Sequence, residues 1–527
     1  MNTGKTKMTN YRWMVCAMLF FATTINYLDR QVLSLTWKDF IQPEFHWTNN
    51  DYGNITALFS IFYAVSMLFA GRFVDWMDTK KGFLWAIGVW SLGAVLHAFC
   101  GIATSGIVAG EWFVGFEGAR EVISTVQNIS RVASVSVILF IFARLVLAIG
   151  EAGNFPAAIK TTAEYFPKKD RALATSIFNA GATVGALAAP VTIPVIAKYW
   201  GWEMAFIIIG ALGFVWMGFW VFVYKKPEVH PKVNSAELAY IQSDANDETA
   251  EEIAAEKANE GKKITFGQAF RYRQTWAFAF GKFMTDGVWW FFLFWAPAYL
   301  SSVYGIKSSD TAGQLAIFVL YAITLLSIIG GWLPSYFVDK KGMNPYAGRM
   351  KAMLIFAFFP LLALLAQPLG GYSYWIPVII IGIAGAAHQA WSANIFSTIG
   401  DMFPKKAIAT ITGIGGMAGG IGSFLINKGS GALFDFTQKN WSTVNGQSLL
   451  EKYPQLNNSE TAEALLREHN VGSIEELLKS LAAAGDTVVN GISSGYMIIF
   501  SICAVAYLIG WVVMKILVPK YKPITDL

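Results

Sequence analysis

The sequence predicts an all-α membrane protein with twelve transmembrane helices in two six-helix bundles. Two numbers point to this class: 55% of the 527 residues are hydrophobic and only 14% are charged. A soluble globular protein carries about 25% charged residues, so this composition would leave large apolar patches in contact with water. The apolar residues form continuous runs rather than alternating with polar ones, which favours helices over a β-barrel. Disordered, collagen-like and coiled-coil chains are excluded by the same composition.

Twelve apolar runs are long enough to cross a bilayer, for which a helix needs about 20 residues. Their approximate bounds are 11–37, 52–75, 83–104, 136–165, 171–199, 202–224, 274–303, 311–338, 350–369, 374–402, 407–427 and 491–518. The first run is too long for the core of a signal peptide and lacks a small-residue cleavage site. We therefore expect it to remain as the first span.

Basic residues mark one side of the predicted bundles. Lysine and arginine recur after the second, fourth, eighth and tenth runs and near both ends of the chain. By the positive-inside rule these loops face the cytoplasm. An even number of spans then predicts a multi-pass protein with both termini cytoplasmic.

Polar segments divide the chain into two bundles, a linker and two insertions that we expect on the outer face. The N-terminal bundle is 1–224 with insertion 105–135, the linker is 225–272, and the C-terminal bundle is 273–527 with insertion 428–490. Within the second insertion, Ser473 begins a short predicted helix with the pattern of a capping box.

An internal repeat relates the two bundles. Residues 166–169 (FPKK) recur as 403–406, and residues 80–82 (KKG) recur as 340–342, each pair at corresponding loops. Parallel repeats of six spans are typical of a large class of transporters.

Longer motifs carry a resemblance to a known family. Residues 71–75 (GRFVD), followed by the lysines of 80–82, match a signature loop between the second and third spans. Further matching segments are 26–30 (NYLDR), 144–160 (RLVLAIGEAGNFPAAIK), 164–167 (EYFP), 282–300 (KFMTDGVWWFFLFWAPAYL) and 387–390 (AHQA). On these motifs the chain resembles the major facilitator superfamily, and within it the anion:cation symporters, most closely the bacterial hexuronate transporters.

This resemblance implies a secondary active transporter rather than an enzyme. It implies proton-coupled uptake of a sugar acid, such as glucuronate or galacturonate, by alternating access in the bacterial inner membrane. The resemblance implies no cofactor, and it implies that the proton is the coupling ion. Two alternatives stay open: a symporter of another organic anion, such as an aldonate or a tartrate-like acid, and a membrane receptor that binds the sugar acid without moving it.

Ionisable residues inside spans are the first candidates for a site, since each costs about 2.5–3.5 kcal/mol to insert. Arg144 and Glu151 are seven residues apart, which places them within about 20° on one helix face and about 10 Å apart along the axis. An arginine can hold a carboxylate through two hydrogen bonds, and a glutamate can take a proton. The resemblance implies these roles for both residues. The alternative is a static ion pair between Glu151 and Arg30 or another base.

Two further charged pairs lie in the spans. Asp29 and Arg30 are neighbours and point about 100° apart, so they cannot simply neutralise each other. The resemblance implies that Arg30 binds the substrate and Asp29 carries a proton. Lys282 and Asp286 are four residues apart, so they either neutralise each other or leave Lys282 as a second contact for the sugar acid.

Polar uncharged residues complete the candidate site. Tyr63 and Asn179 occupy cavity-facing positions in the family pattern, while His388 and Gln389 lie in the tenth run. His388 is equally well explained as a hydrogen-bonded structural residue. The predicted substrate-binding residues are Arg30, Tyr63, Arg144, Asn179, Lys282, His388 and Gln389, and the predicted proton-coupling residues are Glu151 and Asp29.

The expected partners are a small organic anion and the lipid bilayer. The five histidines lack metal-ligand spacing, and the linker contains no nucleotide-binding segment. We therefore expect no metal site, no nucleic-acid partner and no ATP-driven step, and we expect the protein to function as a monomer.

Overall fold

The computed structural model describes residues 8–243, 264–469 and 471–524. Twelve long helical segments dominate it, six before the linker and six after it, and we call them spans in chain order. The first six are Tyr11–Thr36, Asn49–Met77, Thr79–Ala98, Ile129–Glu151 continued by Asn154–Tyr165, Lys168–Trp200 and Trp202–Val223.

The second six repeat this plan with more interruptions. They are Arg273–Tyr304, Thr311–Ile323 joined through the 3₁₀ turn Thr324–Ile328 to Ile329–Lys341, Pro345–Phe358 joined through Phe359–Leu365 to Ala366–Gly370, Trp375–Met402, Lys405–Trp441 and Ile492–Leu517. The predicted all-α fold with two six-helix bundles is confirmed.

Nine of the described helices are apolar and long enough to cross a membrane by composition alone. The first, seventh and eleventh spans fall short of that measure. The first contains Asp29 and Arg30, the seventh contains Lys282 and Asp286, and the eleventh is rich in glycine. Polar residues in a span lower its hydropathy and mark positions that face a cavity or a partner.

Short elements fill the connections. The helices are the π-helical turn Trp37–Ile41, Gln42–Phe45, Cys100–Ala109, Phe116–Thr125, Pro227–Val229, Ser235–Ile241, Phe266–Ala269, Leu449–Lys452, Pro454–Asn457, Ser459–Glu468 and Ile474–Ala483. Strands Thr443–Val444, Gln447–Ser448 and Val488–Val489 form an antiparallel sheet with Thr443–Val444 in the centre. The predicted helix after Ser473 is present, and the Ser473 side chain accepts a hydrogen bond from the Glu476 amide.

The bounds of both insertions in the structure differ from those that the apolar runs suggested. The third span ends at Ala98, six residues before the predicted end at 104. The fourth span begins at Ile129, seven residues before the predicted start at 136. The eleventh span continues to Trp441 rather than ending near 427. Its added turns carry Lys428 and Asp435, which bond to the second span. Hydropathy missed these turns because their polar side chains contact protein and not lipid.

Close glycine contacts fix the packing of the spans. A Cβ on Gly181 of the fifth span would lie 2.3 Å from the carbonyl oxygen of Phe20 in the first. A Cβ on Gly422 of the eleventh span would lie 2.1 Å from the carbonyl oxygen of Phe283 in the seventh. No larger residue fits at either crossing, so these helices approach at backbone distance.

The two halves are tied together at one end of the bundle, opposite the end that carries the lysines of 80–82 and 340–342. Asp39 accepts hydrogen bonds from Ser301 Oγ and Ser308 Oγ, both at 2.7 Å. Tyr52 donates to the Phe294 carbonyl at 2.8 Å. Where side chains are described, the hydrogen bonds between the two halves lie at this end, so the structure is closed there.

Candidate functional site

A buried ion pair lies at the centre of the N-terminal half. Arg30 of the first span donates from Nε and Nη2 to Glu151 Oε2 of the fourth span, at 2.9 and 2.8 Å. Both side chains are almost fully buried. The second oxygen of Glu151 has no hydrogen-bond partner among the described residues. The structure therefore shows the ion pair that the sequence left as an alternative to a free Glu151.

Two further buried charges nearby have no direct partner. Neither carboxyl oxygen of Asp29 accepts a hydrogen bond from a described residue, and Arg144 Nη1 donates none. The Arg144 guanidinium lies 5.1 Å from the centre of the Phe59 ring. The indole N–H of Trp90 lies next to Asp29, but it forms no hydrogen bond of normal geometry with any described residue. Buried polar groups normally have hydrogen-bond partners, so this region is suited to hold water or a polar solute.

Aromatic rings from both halves surround the Arg30 guanidinium. It lies 4.7 Å from the ring centre of Tyr63 and 5.2 Å from that of Tyr27. The third ring, Trp290 at 5.1 Å, belongs to the seventh span. A cation over aromatic faces is stabilised by roughly 0.5–2 kcal/mol per ring. Arg30 is therefore the point at which the charged centre meets the C-terminal half.

The C-terminal half carries its own buried pair. Lys282 Nζ lies 2.7 Å from Asp286 Oδ2 and 4.3 Å from the ring centre of Phe396. A Cβ on Gly419 would lie 2.2 Å from Asp286 Oδ2, so the eleventh span closes over this carboxylate. Lys282 is thus neutralised in this state, as in one of the two interpretations of the sequence.

The remaining predicted residues differ in their surroundings. His388 Nδ1 lies 2.7 Å from the Tyr507 hydroxyl, and its ring stacks on Trp289 at 5.3 Å. Gln389 is half-buried and Asn179 is exposed on the fifth span, and neither forms a hydrogen bond with a described residue. The structure gathers Asp29, Arg30, Tyr63, Arg144 and Glu151 in one half and Lys282 with His388 in the other.

Several neighbours of the site were not predicted. Tyr27 lies in the NYLDR motif and was identifiable from it. His97 of the third span is fully buried and bonds to the Gly93 carbonyl through Nδ1 at 2.7 Å, and its Nε2 has no hydrogen-bond partner in the described part of the chain. Neither His97 nor Trp90 stands in a motif or a charged pattern, so only packing reveals them.

No group of three or more His, Cys, Asp or Glu side chains within the described ranges is placed to hold a metal ion. The three cysteines are free and buried.

Two six-helix halves, one of them with buried charges that have no partner among the described residues, are the architecture of a membrane transporter. The sequence profile of the Major Facilitator Superfamily matches residues 19–426, and the chain belongs to this family. It is a multi-pass membrane protein and a transporter rather than an enzyme, so the predicted superfamily and protein class are confirmed.

Relatives and solved structures agree with this assignment. The chain is 29% identical to the hexuronate transporter of Escherichia coli (strain K12) over 433 residues, which is 81% of this chain and 89% of that protein. It is 28% identical to the galacturonate transporter of Dickeya chrysanthemi over 343 residues, 65% of this chain and 87% of that protein.

Two solved structures share the fold. One is a bacterial homologue of the human lysosomal transporter Spinster in an inward-facing and unoccupied conformation, with a TM-score of 0.64 at 19% identity, covering 97% of this chain and 98% of that chain. The other is a D-xylose–proton symporter, with a TM-score of 0.53 at 15% identity, covering 80% of this chain and 90% of that chain.

Proposed function

We propose that the protein imports a monoanionic sugar acid, a hexuronate such as glucuronate or galacturonate, together with protons. The observation that carries this proposal is the pairing of Arg30 with one oxygen of Glu151, while Arg144 has no carboxylate partner among the described residues. One free guanidinium in a buried site suits one incoming carboxylate. The names of the relatives, hexuronate and galacturonate transporters, support the same substrate class.

The coupling follows from competition for Arg30. A substrate carboxylate that reaches Arg144 and Arg30 displaces Glu151, which is then a buried carboxylate without a cation. Isolated buried charge is costly, so Glu151 takes up a proton. Asp29, already without a partner, takes up a second. The loaded site carries no unpaired negative charge, and the two halves can close around it.

The charge count of the site favours a monoanion over a diacid. In the proposed coupling Arg30 and Arg144 together hold one carboxylate, so the second carboxylate of a tartrate-like acid needs a further cation. Lys282 in the other half is already paired with Asp286 at 2.7 Å. Tyr63, Asn179, His388 and Gln389 supply the hydroxyl, amide and imidazole groups that a sugar ring requires. The C-terminal residues reach the substrate when the halves close on it.

In the proposed orientation the closed end faces the outside of a bacterial inner membrane and both termini lie in the cytoplasm. The structure then represents the state open to the cytoplasm. A single chain contains both halves of the site, so the proposed working unit is the monomer.

Reconstitution in liposomes tests the proposal. We expect labelled glucuronate or galacturonate to accumulate when the pH is lower outside, and the accumulation to collapse with a protonophore. If a different organic anion showed counterflow and hexuronates were not transported, the proposed substrate would be wrong. Saturable binding of the sugar acid without flux would show a receptor instead.

A further inference from the structure

The insertion between the eleventh and twelfth spans folds around an apolar cluster of its own. That cluster consists of Val444, Leu449, Leu456, Leu465, Leu477, Leu478 and Leu481. The strands Thr443–Val444 and Val488–Val489 pair at its base, so both ends of the insertion leave from one point. Residues 442–491, which we call the cap, are therefore a compact unit attached to the C-terminal half.

The cap contacts the N-terminal half through a buried ion pair. Glu475, in the first turn of helix Ile474–Ala483, lies 2.5 Å from Lys38 Nζ in the turn that extends the first span. Both side chains are only 3% exposed. Burial raises the pKa of Glu475, but Lys38 and Lys479 outweigh it and lower the pKa to about 2. The Glu475 carboxyl group is therefore ionised at physiological pH.

The same lysine connects to a second contact between the halves. Lys38 Nζ donates to Asn49 Oδ1 at 3.4 Å. Asn49 and Asn50 begin the second span, and their backbone amides donate to Asp435 of the eleventh span at 3.0 and 2.8 Å. The first amides of a helix have no partner within it, so Asp435 caps a helix of the opposite half.

A steric contact lies beside these bonds. Gly472 of the cap approaches His46 so closely that a Cβ on Gly472 would lie 1.9 Å from His46 Nδ1. The cap thus meets the N-terminal half through the Lys38–Glu475 ion pair and through the close approach of Gly472 to His46.

We propose that the cap is a latch that holds the outer end of the transporter closed through the Lys38–Glu475 pair. Opening that end must separate the two halves, and with them Lys38 from Glu475. Lys38 follows Arg30 by eight residues on a continuous helical path, about 12 Å. Movement of the first span at the substrate site is therefore transmitted directly to the latch. The inference requires that the two halves rock, and it does not depend on which solute is carried.

Charge removal gives the test. Glu475→Gln leaves Lys38 buried without an anion, which is strongly unfavourable, so we expect the outward-open fraction to rise by about tenfold or more. A double variant, Lys38→Met with Glu475→Gln, lacks both charges. We expect its outward-open fraction to be smaller than that of Glu475→Gln alone, because the two residues are coupled. Gly472→Ala should open the same end without any change of charge.

The control breaks an ion pair inside the cap that does not cross between the halves. Lys452 lies 3.1 Å from Asp486, both within the cap. Lys452→Gln should leave the conformational equilibrium unchanged.

Spin labels report the opening without any substrate. Thr125→Cys and Tyr372→Cys place labels at exposed positions of the two halves at the closed end. Lys81→Cys and Lys341→Cys do so at the opposite end. In the Glu475→Gln variant we expect an additional, longer distance between the labels at 125 and 372. Between the labels at 81 and 341 we expect an additional, shorter distance.

Unchanged distances in both Glu475→Gln and Gly472→Ala would overturn the latch and leave the cap a folding element. If the Glu475→Gln variant does not fold, the spin-label distances of the Gly472→Ala variant decide between a latch and a folding element. Because the readout needs no transport, a wrong substrate assignment would leave this result intact.

Discussion

Arg30 directs two N–H groups at a single oxygen of Glu151, at 2.9 and 2.8 Å, and leaves the other oxygen without a partner. A bidentate arginine–carboxylate pair would use both oxygens. The observed pair is therefore incompletely satisfied, although both residues are buried. An incompletely satisfied pair leaves Arg30 able to exchange Glu151 for another carboxylate, which is what the proposed anion–proton symport requires.

Glu151→Gln tests the role of this carboxyl group. The amide cannot take up a proton in the transport cycle, so we expect accumulation driven by a pH gradient to fall, because only the proton on Asp29 is left to couple it. Exchange of labelled for unlabelled substrate needs no net proton movement and should persist. Flux in liposomes with and without the gradient measures both. Normal gradient-driven accumulation by Glu151→Gln would remove Glu151 as the proton site.

Arg144→Lys tests the requirement for a guanidinium. Lysine keeps the positive charge but cannot donate two parallel hydrogen bonds to a carboxylate. We expect uptake at low substrate concentration to fall by about tenfold or more, because a charge-assisted hydrogen bond contributes about 1.5–3 kcal/mol. Initial rates over a range of substrate concentrations measure it. Arg131→Lys, an exposed arginine on the same helix, is the matched control, and equal effects of the two substitutions would contradict the assignment.

Asp29→Asn tests the number of protons. A monoanion with two protons carries one net positive charge, so wild-type uptake should increase when the membrane potential is negative inside. With Asp29 neutralised, one proton moves with the anion and the cycle becomes electrically neutral. We expect uptake by the variant to respond to the pH gradient and not to a potassium–valinomycin potential. A variant that still responds to the potential would show that Asp29 does not carry the second proton.

The helices and the charged centre were predictable from the sequence, but their partners were not. Apolar runs located the spans, and charged residues within them identified Asp29, Arg30, Arg144 and Glu151. Pairing between residues of different helices depends on how the helices pack. The sequence alone therefore offered the Arg30–Glu151 ion pair only as an alternative. Lys38 and Glu475 are 437 positions apart, and nothing in either local segment indicates the other.

Gly431→Ala tests whether backbone contact between the halves closes the outer end. A Cβ on Gly431 would lie 2.5 Å from the Asn49 carbonyl oxygen in the other half. The methyl group is excluded only while this end is closed, so we expect the variant to fold and to favour the outward-open state. Gly429→Ala is the control, since a Cβ there has no atom within 4 Å. Spin-label distances that are the same in both variants would contradict the prediction.

The pH dependence of stability can be argued from Glu44, in the short helix between the first two spans. Its side chain is 8% exposed, and it accepts a hydrogen bond from Trp202 Nε1 at 2.7 Å. Burial raises the pKa of Glu44 from 4.5 to about 7, with a further upward contribution from Glu203. The folded protein therefore binds the proton more tightly than the unfolded chain does.

The stabilisation from Glu44 is complete below pH 4.5 and is lost as the pH rises through about 7. Its upper bound is about 3 kcal/mol. Glu44→Gln imitates the protonated form, so we expect the variant to match wild type at pH 4 and to melt at a higher temperature at pH 8. Glu117→Gln, an exposed glutamate on the neighbouring helix, should follow wild type at both values. Thermal unfolding in detergent measures the difference. Equal melting temperatures of wild type and Glu44→Gln at pH 8 would contradict the prediction, because they would show that ionised Glu44 does not lower the stability of the folded protein.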